Sequence, residues 1–350
     1  MTVGPVAAGG RSSGVFDALA GAGVDYRLCA RGKGALAAAL DLLDAGGNVL
    51  LPAAVPAGVP GAVRAAGAEP RFYRVRGDLQ PAYADLLRRA DRDTDALVVV
   101  HYFGVPQPRT DDLLALADAA GVPVVEDNSH AALSRRNGRL LGTEGTVGFT
   151  SLHKTLPVPN GAVLYGRGVD LPDGGTPEWS RADLRFCARR AFAALPSLPS
   201  PRSGLPGTGD DDRADDAADP AAIHERDREP LSPLTPPLLA RIDPGAVVER
   251  RRAGYRRWAT RLEGVAGVAP LFDALPDGAC LWAFPAVCAD PDRVRAALGG
   301  RGFGWPRLPP AVDGDPDYPA ANACARRLVA LPVGVERATI DRLADRLIAP

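Results

Sequence analysis

The chain has 350 residues, 46% hydrophobic and 24% charged, with a formal net charge of -1: a soluble globular composition, long enough for a large core and more than one domain. So balanced a charge offers no basic surface to nucleic acid or to an anionic membrane. No apolar run approaches a membrane span, and the opening MTVGPVAAGGRSSG lacks the order of a signal peptide. The odd set Cys29, Cys187, Cys280, Cys288 and Cys324 has no CxxC spacing, which points to reduced thiols in a cytoplasmic protein and excludes a disulfide framework or zinc site.

From residue 24 to 166 short β-branched runs alternate with stretches of helical spacing. The predicted strands are DYRLCA (25–30), NVLLPA (48–53), RFYRV (71–75), ALVVVH (96–101), VPVVED (122–127), TVGFTSL (146–152) and GAVLY (161–165). Between them lie GALAAALDLLDAG (34–46), PAGVPGAVRAAGA (56–68), PAYADLLRRA (81–90) and DDLLALADAAG (111–121). Strand and helix in alternation predict an α/β fold with a mainly parallel sheet covered on both faces. Runs apolar throughout, such as LVVV, suit a strand buried on both sides.

The character then changes. PSLPSPRSGLPGTG (196–209) is rich in Pro, Ser and Gly, and DDDRADDAAD (210–219) crowds acidic side chains that repel one another. A flexible surface insertion is expected over 196–230, between a large α/β domain at 15–195 and a smaller α+β domain at 231–350. In that tail LLARIDPGAVVERRRAGYRRWATRLEGV (238–265) reads as helical segments interrupted near Pro244. LWAFPAVCA (281–289) reads as a strand, DPDRVRAALGGRG (290–302) as a helix and turn, and ATIDRLADRLI (338–348) as a closing helix.

Of 41 Lys plus Arg only two are lysine, Lys33 and Lys154. An exposed cation is served equally well by arginine, whereas an amine that must deprotonate and attack a carbonyl cannot be arginine. Both lysines fall at predicted strand ends, where ligands bind in an open parallel sheet. Arg31-Gly32-Lys33-Gly34 follows DYRLCA, His101 ends ALVVVH, Asp127 ends VPVVED with His130 just beyond, and Ser151 leads into His153 and Lys154. Each has a plainer reading: Asp127 as a turn cap, His101 as a satisfied core histidine, Lys33 as a solvated cation. Taken together, an imine-forming lysine, a carboxylate and a phosphate cradle suggest pyridoxal 5'-phosphate, PLP. Lysine holds that cofactor as a Schiff base, a carboxylate keeps its pyridine nitrogen protonated, and a helix N-terminus with Gly32 and Gly34 receives its phosphate.

At this point the sequence resembles the DegT/StrS-type sugar aminotransferases of PLP fold type I. GNVLLPA with AVRAAGAEPRFYRV, LVVVHYFGVPQP, VPVVEDNSHAALS and GRLLGTEGTVGFTSLHKTLPVPNGAVL resemble successive motifs of that family, and the resemblance extends to LARIDPGAVVERRRAGYRRW and ARRLVALPVG in the tail. It implies a large PLP-binding domain with a smaller C-terminal one, a homodimer, and transfer of an amino group from an amino-acid donor to a keto sugar or keto-cyclitol, nucleotide-linked or free. By position it makes Lys154 the internal-aldimine lysine and Asp127 the partner of the pyridine nitrogen. His130 takes the place of the glutamine or histidine near the ring hydroxyl, and Arg31-Gly32-Lys33-Gly34 that of the Ser-Gly-Thr phosphate turn, with Thr150 or Ser151 as a further phosphate ligand. Val55-Pro56 stands where the family carries its cofactor-covering aromatic, and the Asn-x-Arg-Met-Ser segment is not recognisable in REPLSPLT.

Three alternatives stand beside that expectation. One is another PLP carbanion reaction, such as elimination or decarboxylation. Another is a non-catalytic PLP-binding descendant. The third is a nicotinamide-dependent oxidoreductase, because RGKGALA fits G-x-G-x-x-A, although NVLLPAAV offers no acid for a ribose hydroxyl.

Overall fold

The structure, a computed structural model, describes residues 14–172, 176–180, 183–188, 230–299 and 301–348. The insertion expected over 196–230 lies, but for its last residue, outside the described residues. In chain order the first elements are α1 (Val15–Ala20), β1 (Asp25–Cys29), α2 (Gly32–Leu42), β2 (Asn48–Pro52), α3 (Val59–Ala65) and β3 (Glu69–Tyr73). There follow α4 (Tyr83–Arg89), β4 (Thr94–Val100), α5 (Thr110–Ala120), β5 (Val124–Asp127), β6 (Arg135–Arg136), β7 (Arg139–Leu140), β8 (Val147–Ser151), α6 (Leu152–Thr155) and β9 (Ala162–Gly166).

Seven of these strands form one sheet in the order β1-β9-β8-β5-β4-β2-β3. The pairs β2–β3, β2–β4, β4–β5 and β5–β8 are parallel, whereas β9 runs antiparallel to both β8 and β1. Two antiparallel steps restore direction, so β1 points the same way as β8, and its carboxyl end joins those of β2, β4, β5 and β8 along one edge. Strand β9 displays why its residues are apolar without alternation. Ala162 and Leu164 pack into one core cluster while Val163 and Tyr165 pack into another on the opposite face. In dinucleotide-binding sheets the glycine-rich turn follows a central strand; here it follows β1, an edge strand, which removes structural support for the nicotinamide alternative.

The second half comprises α7 (Thr235–Leu239), α8 (Pro244–Leu262), β10 (Val268–Pro270), β11 (Ala283–Cys288), α9 (Pro291–Ala297), β12 (Phe303–Gly304), α10 (Pro319–Arg327), β13 (Leu328–Pro332) and α11 (Arg337–Ile348). The interruption near Pro244 is a helix start: Asp243 Oδ1 accepts the N–H groups of Gly245 (2.8 Å) and Ala246 (3.2 Å), and Pro244 occupies the first turn, where its missing N–H is harmless. The four strands form an antiparallel sheet, β10-β11-β13-β12. Its core gathers Trp258, Phe284, Leu331, Ile340 and Leu343, with Trp258 Nε1–H donating to Pro332 O at 2.7 Å. Its other members Ala283, Phe303, Leu328 and Ala330 join the core of the large sheet, so the two sheets meet through side chains.

A polar clamp holds together the chain on either side of 189–229. Asn160, after α6, donates to Pro230 O (3.0 Å) and accepts from Ser232 N (2.8 Å), while Ser232 Oγ–H donates to the buried Asp183 carboxylate and Glu178 N–H to Leu231 O (3.0 Å).

Candidate active site

The carboxyl ends of the strands surround a cavity of about 180 Å³, more than the ~150 Å³ that admits a benzene ring. Lys154 enters it from α6, the single helical turn after β8. Asp127 enters from the last position of β5, and His130 from the turn beyond it. Gly32 and Lys33, with Arg31, line it from the start of α2, and Ser151 from the end of β8. The structure thus brings together Lys154, Asp127, His130, Ser151, Gly32 and Lys33. Thr150 and Gly34 are not among the lining residues. Successive strand residues point to opposite faces, so Thr150 turns away from the cavity and its Oγ1–H donates to Asn128 O at 2.7 Å, while Gly34 sits further into α2.

The start of α2 faces the cavity. Its first internal hydrogen bond is Ala35 N–H to Arg31 O (3.0 Å), and the N–H groups of the first turn of any helix look outside it for acceptors. Arg31, the N-cap, supplies no side-chain cap. The hydroxyls of Ser151 and Ser129 stand beside Gly32: a Cβ added there would collide with Ser151 Oγ and lie 3.4 Å from Ser129 Oγ.

Lys154 Nζ is 3.5 Å from His130 Nε2. On its other side His130 Nδ1 receives the backbone N–H of Phe103 at 3.3 Å, and the ring lies on Trp282 with centroids 4.5 Å apart and planes 14° apart. Burial, and then the charge of Lys154, push its pKa well below 6.5. The unfolded chain accordingly takes up a proton that the folded protein refuses. Stability from His130 is complete above pH 6.5 and falls as pH drops toward the folded value, by up to about 1.4 kcal/mol per pH unit. Urea titrations at stepped pH are expected to show this limb in the parent and not in His130→Gln; an unchanged limb in the variant would contradict it.

Asp127, 8% exposed, accepts Ser129 N–H on Oδ1 at 2.9 Å and lines the cavity. Beneath it, His101 is the satisfied core histidine. Its Nδ1 accepts Gln107 N–H (3.2 Å) and its Nε2–H donates to Glu126 (2.9 Å). Burial raises the Glu126 pKa, but the bonds from His101, Gly145 and Glu144 outweigh it and hold the carboxyl below its ordinary value. This pair locks β4 to β5 and stays out of the cavity.

Sequence reading passed over Ser129, Tyr102, Trp282 and Trp305. Ser129 lies inside the quoted EDNSH, two residues past Asp127, and its place was legible there. The aromatics carried no local signal, because they reach the site from the turn after β4 and from the other sheet. Tyr102 is 3% exposed with no partner for its hydroxyl, and the indole N–H groups of Trp282 and Trp305 are likewise buried without partners. Burial, with Tyr73 and Asp127 nearby, pushes Tyr102 well above 10, so its hydroxyl remains a donor. Val55 and Pro56 line the cavity where the family resemblance expects an aromatic.

These parts fit PLP: an amine, a carboxylate, a helix N-terminus flanked by the Ser129 and Ser151 hydroxyls, and the buried Tyr102 hydroxyl without a partner. The architecture is that of the fold type I PLP aminotransferases. The chain is similar across its length to DesV of S. venezuelae, solved with a ketimine intermediate (22% identity, 95% of this chain and 86% of that one, TM-score 0.67). TlmJ of Streptoalloteichus hindustanus gives 22%, 96%, 88% and 0.64, and the sugar aminotransferase CalS13 of Micromonospora echinospora 21%, 97%, 92% and 0.63. Residues 25–162 match the DegT/DnrJ/EryC1/StrS aminotransferase family. Among the described residues no helix is long and apolar enough to cross a membrane, and no cluster of His, Cys, Asp or Glu is arranged to hold a metal.

Proposed function

We propose that this chain is a PLP-dependent aminotransferase that moves an amino group from an amino-acid donor to a keto sugar or keto-cyclitol, working in the cytoplasm as a homodimer. The observation that carries the reading is the convergence of Lys154, Asp127 and the N-terminus of α2 on one cavity. When bound, PLP supplies a conjugated ring that accepts the electron pair left on a substrate carbon. Lys154 anchors the cofactor through Nζ and, once released, takes and returns a proton at that nitrogen. Asp127 holds a proton on the ring nitrogen by charge. The N–H groups of residues 32–34, the Ser129 and Ser151 hydroxyls and the Lys33 cation hold the phosphate. Trp282, Trp305, Phe303 and Tyr102 wall the site against water, which strengthens each of these electrostatic contacts.

The test is an absorption titration of the purified protein with PLP, followed by borohydride reduction and peptide mapping. A yellow species reduced onto Lys154, bleached by an amino-acid donor and restored by a keto acceptor, is the expected result. Modification at Lys33 instead, or bleaching with release of an elimination product, would overturn the assignment.

Gly32→Ala probes the cradle. Its methyl group would push Ser151 Oγ aside and cover the helix N-terminus. Loss of one or two charge-assisted hydrogen bonds predicts PLP affinity weaker by about 100-fold, with folding nearly unchanged. Equal affinity in the variant would place the phosphate elsewhere.

A further inference from the structure

Three residues close a loop of contacts beside Lys154. The backbone N–H of Trp282 donates to Phe103 O at 2.9 Å, and Phe103 N–H donates to His130 Nδ1 at 3.3 Å. The His130 ring then lies back on the Trp282 indole, centroids 4.5 Å and planes 14° apart. The Phe103 ring completes the cluster, 5.8 Å from Trp282 and 5.9 Å from His130. At the other edge of the imidazole, Nε2 is the atom 3.5 Å from Lys154 Nζ.

A histidine does not fix its own plane. The torsion that turns the ring joins an sp³ to an sp² carbon, and its wells are broad. A half-turn puts Cε1 where Nε2 stood and Cδ2 where Nδ1 stood. The Phe103 N–H holds one edge at one point, whereas holding a plane takes a face. Trp282 supplies that face and is itself held from elsewhere. It stands just before β11, its carbonyl and that of Leu281 each accept from Arg251 Nη1 at 3.0 Å, and Cys280 N–H donates to Ser134 Oγ at 2.8 Å. The indole also runs near-parallel to Phe303, centroids 6.3 Å and planes 27° apart. None of these contacts uses His130, so the indole is a fixed surface for the imidazole. Phe103, which joins the two, sits at φ 57°, in the left-handed region that residues with a Cβ seldom occupy.

We propose that Trp282 is the positioning residue for His130: its indole sets the plane of the imidazole and so keeps Nε2 at the Lys154 amine. This deepens the proposed function and rests on it for what happens at Lys154; the packing of the two rings needs no cofactor. The role is the same for either direction of the hydrogen bond between Nε2 and Nζ, because the indole fixes a plane and not a charge. It makes the segment leading into the second sheet part of the site's machinery as well as part of its wall.

Two readings test it. The first is the crystal structure, without PLP, of Trp282→Leu beside Trp282→Phe. Leucine removes the flat face, and the imidazole is expected to turn and carry Nε2 out of hydrogen-bond reach of Nζ, whereas phenylalanine keeps it in place. Trp282→Met, which keeps bulk without a plane, is the second variant if Trp282→Leu does not fold. The second reading is a double-mutant cycle on turnover with His130→Ala. His130→Ala is expected to lower kcat by about 100-fold and Trp282→Leu by about 10-fold, the scale of misplacing a group by about an ångström. Trp282→Phe recovers most of that loss, and Trp282→Leu adds nothing once His130 is alanine, because the residue it positions is gone. A residue that only walls the cavity would give losses that multiply. An imidazole unmoved in Trp282→Leu, or losses that multiply in the double variant, would overturn the proposal. If the ring turns while no adduct forms on Lys154, the positioning stands and the PLP reading fails; an adduct beside an unmoved ring separates them the other way.

Discussion

Lys154→Ala and Lys154→Arg are each expected to lower turnover by about 10⁴-fold, the upper range for loss of a positioned proton-transfer group that also serves as covalent anchor. The arginine variant decides the cause. It keeps length and charge near those of lysine, but its guanidinium does not deprotonate and forms no covalent link to the cofactor. A site that used Lys154 only as a cation would tolerate Arg with little loss. Lys33→Arg is the internal comparison: Lys33 lines the same cavity as a point charge beside the α2 N-terminus, and turnover within about tenfold of the parent is expected there. Steady-state rates with a donor and acceptor pair, measured on folded variants, make the comparison. Arginine equal to lysine at 154 would end the covalent reading.

Arg251→Met is expected to destabilise the protein by about 3 kcal/mol, the largest stability effect of a change outside the cavity. Arg251 is 7% exposed and has no carboxylate partner among the described residues. Nη1 donates to Leu281 O and Trp282 O, each at 3.0 Å, and Nη2 to Thr155 O at 2.6 Å. Burial lowers its pKa, a sign of how much the folded state gives up to hold a guanidinium there. Methionine removes that desolvation but leaves three carbonyls without their donor, at roughly 1–3 kcal/mol each, and the orphaned acceptors win. The contact pattern extends the effect to the site. Thr155 follows Lys154, Trp282 stacks on His130, and His130 meets Lys154 Nζ, so Arg251 closes a ring of contacts around the Lys154 amine. Urea unfolding of Arg251→Met, beside Arg251→Lys, measures it. A loss under about 1 kcal/mol would mean that the carbonyls find other donors.

Much of this was legible in order along the chain. The inner strands β2, β4, β5, β8 and β9 were visible as apolar runs because they are buried, whereas the edge strands β1 and β3 are only partly covered. The polar residues that interrupt those runs at their carboxyl ends, Asp127, His130, Ser151 and Lys154, announced the site for the same reason. The choice between Thr150 and Ser151 was not legible: strand alternation says that neighbours face opposite ways, and only the packed sheet says which one faces in. The hairpin β6–β7 was missed although Asn137-Gly138 is its turn, with φ 51° and 79°. Asn-Gly announces a hairpin when alternating apolar strands flank it, and here arginines do. LVALP was noticed as a motif and not as strand β13, whose pairing with β11 and β12 is set by contacts far apart in sequence. Trp282 and Trp305 escaped on the same ground, since their value lies in where a separate sheet delivers them.

The clamp of Asn160, Asp183 and Ser232 has a consequence for how such a chain diversifies. Asp183 and Ser232 are fastened to each other, and Pro230 and Ser232 to Asn160, just after the Lys154 segment, so the described stems on either side of 189–229 are held at one place. Closing a loop across fixed ends costs only about 0.6 kcal/mol more for each doubling of its length. Evolution is therefore free to insert, delete and rewrite residues there while the geometry a few residues away, at Lys154, is inherited intact.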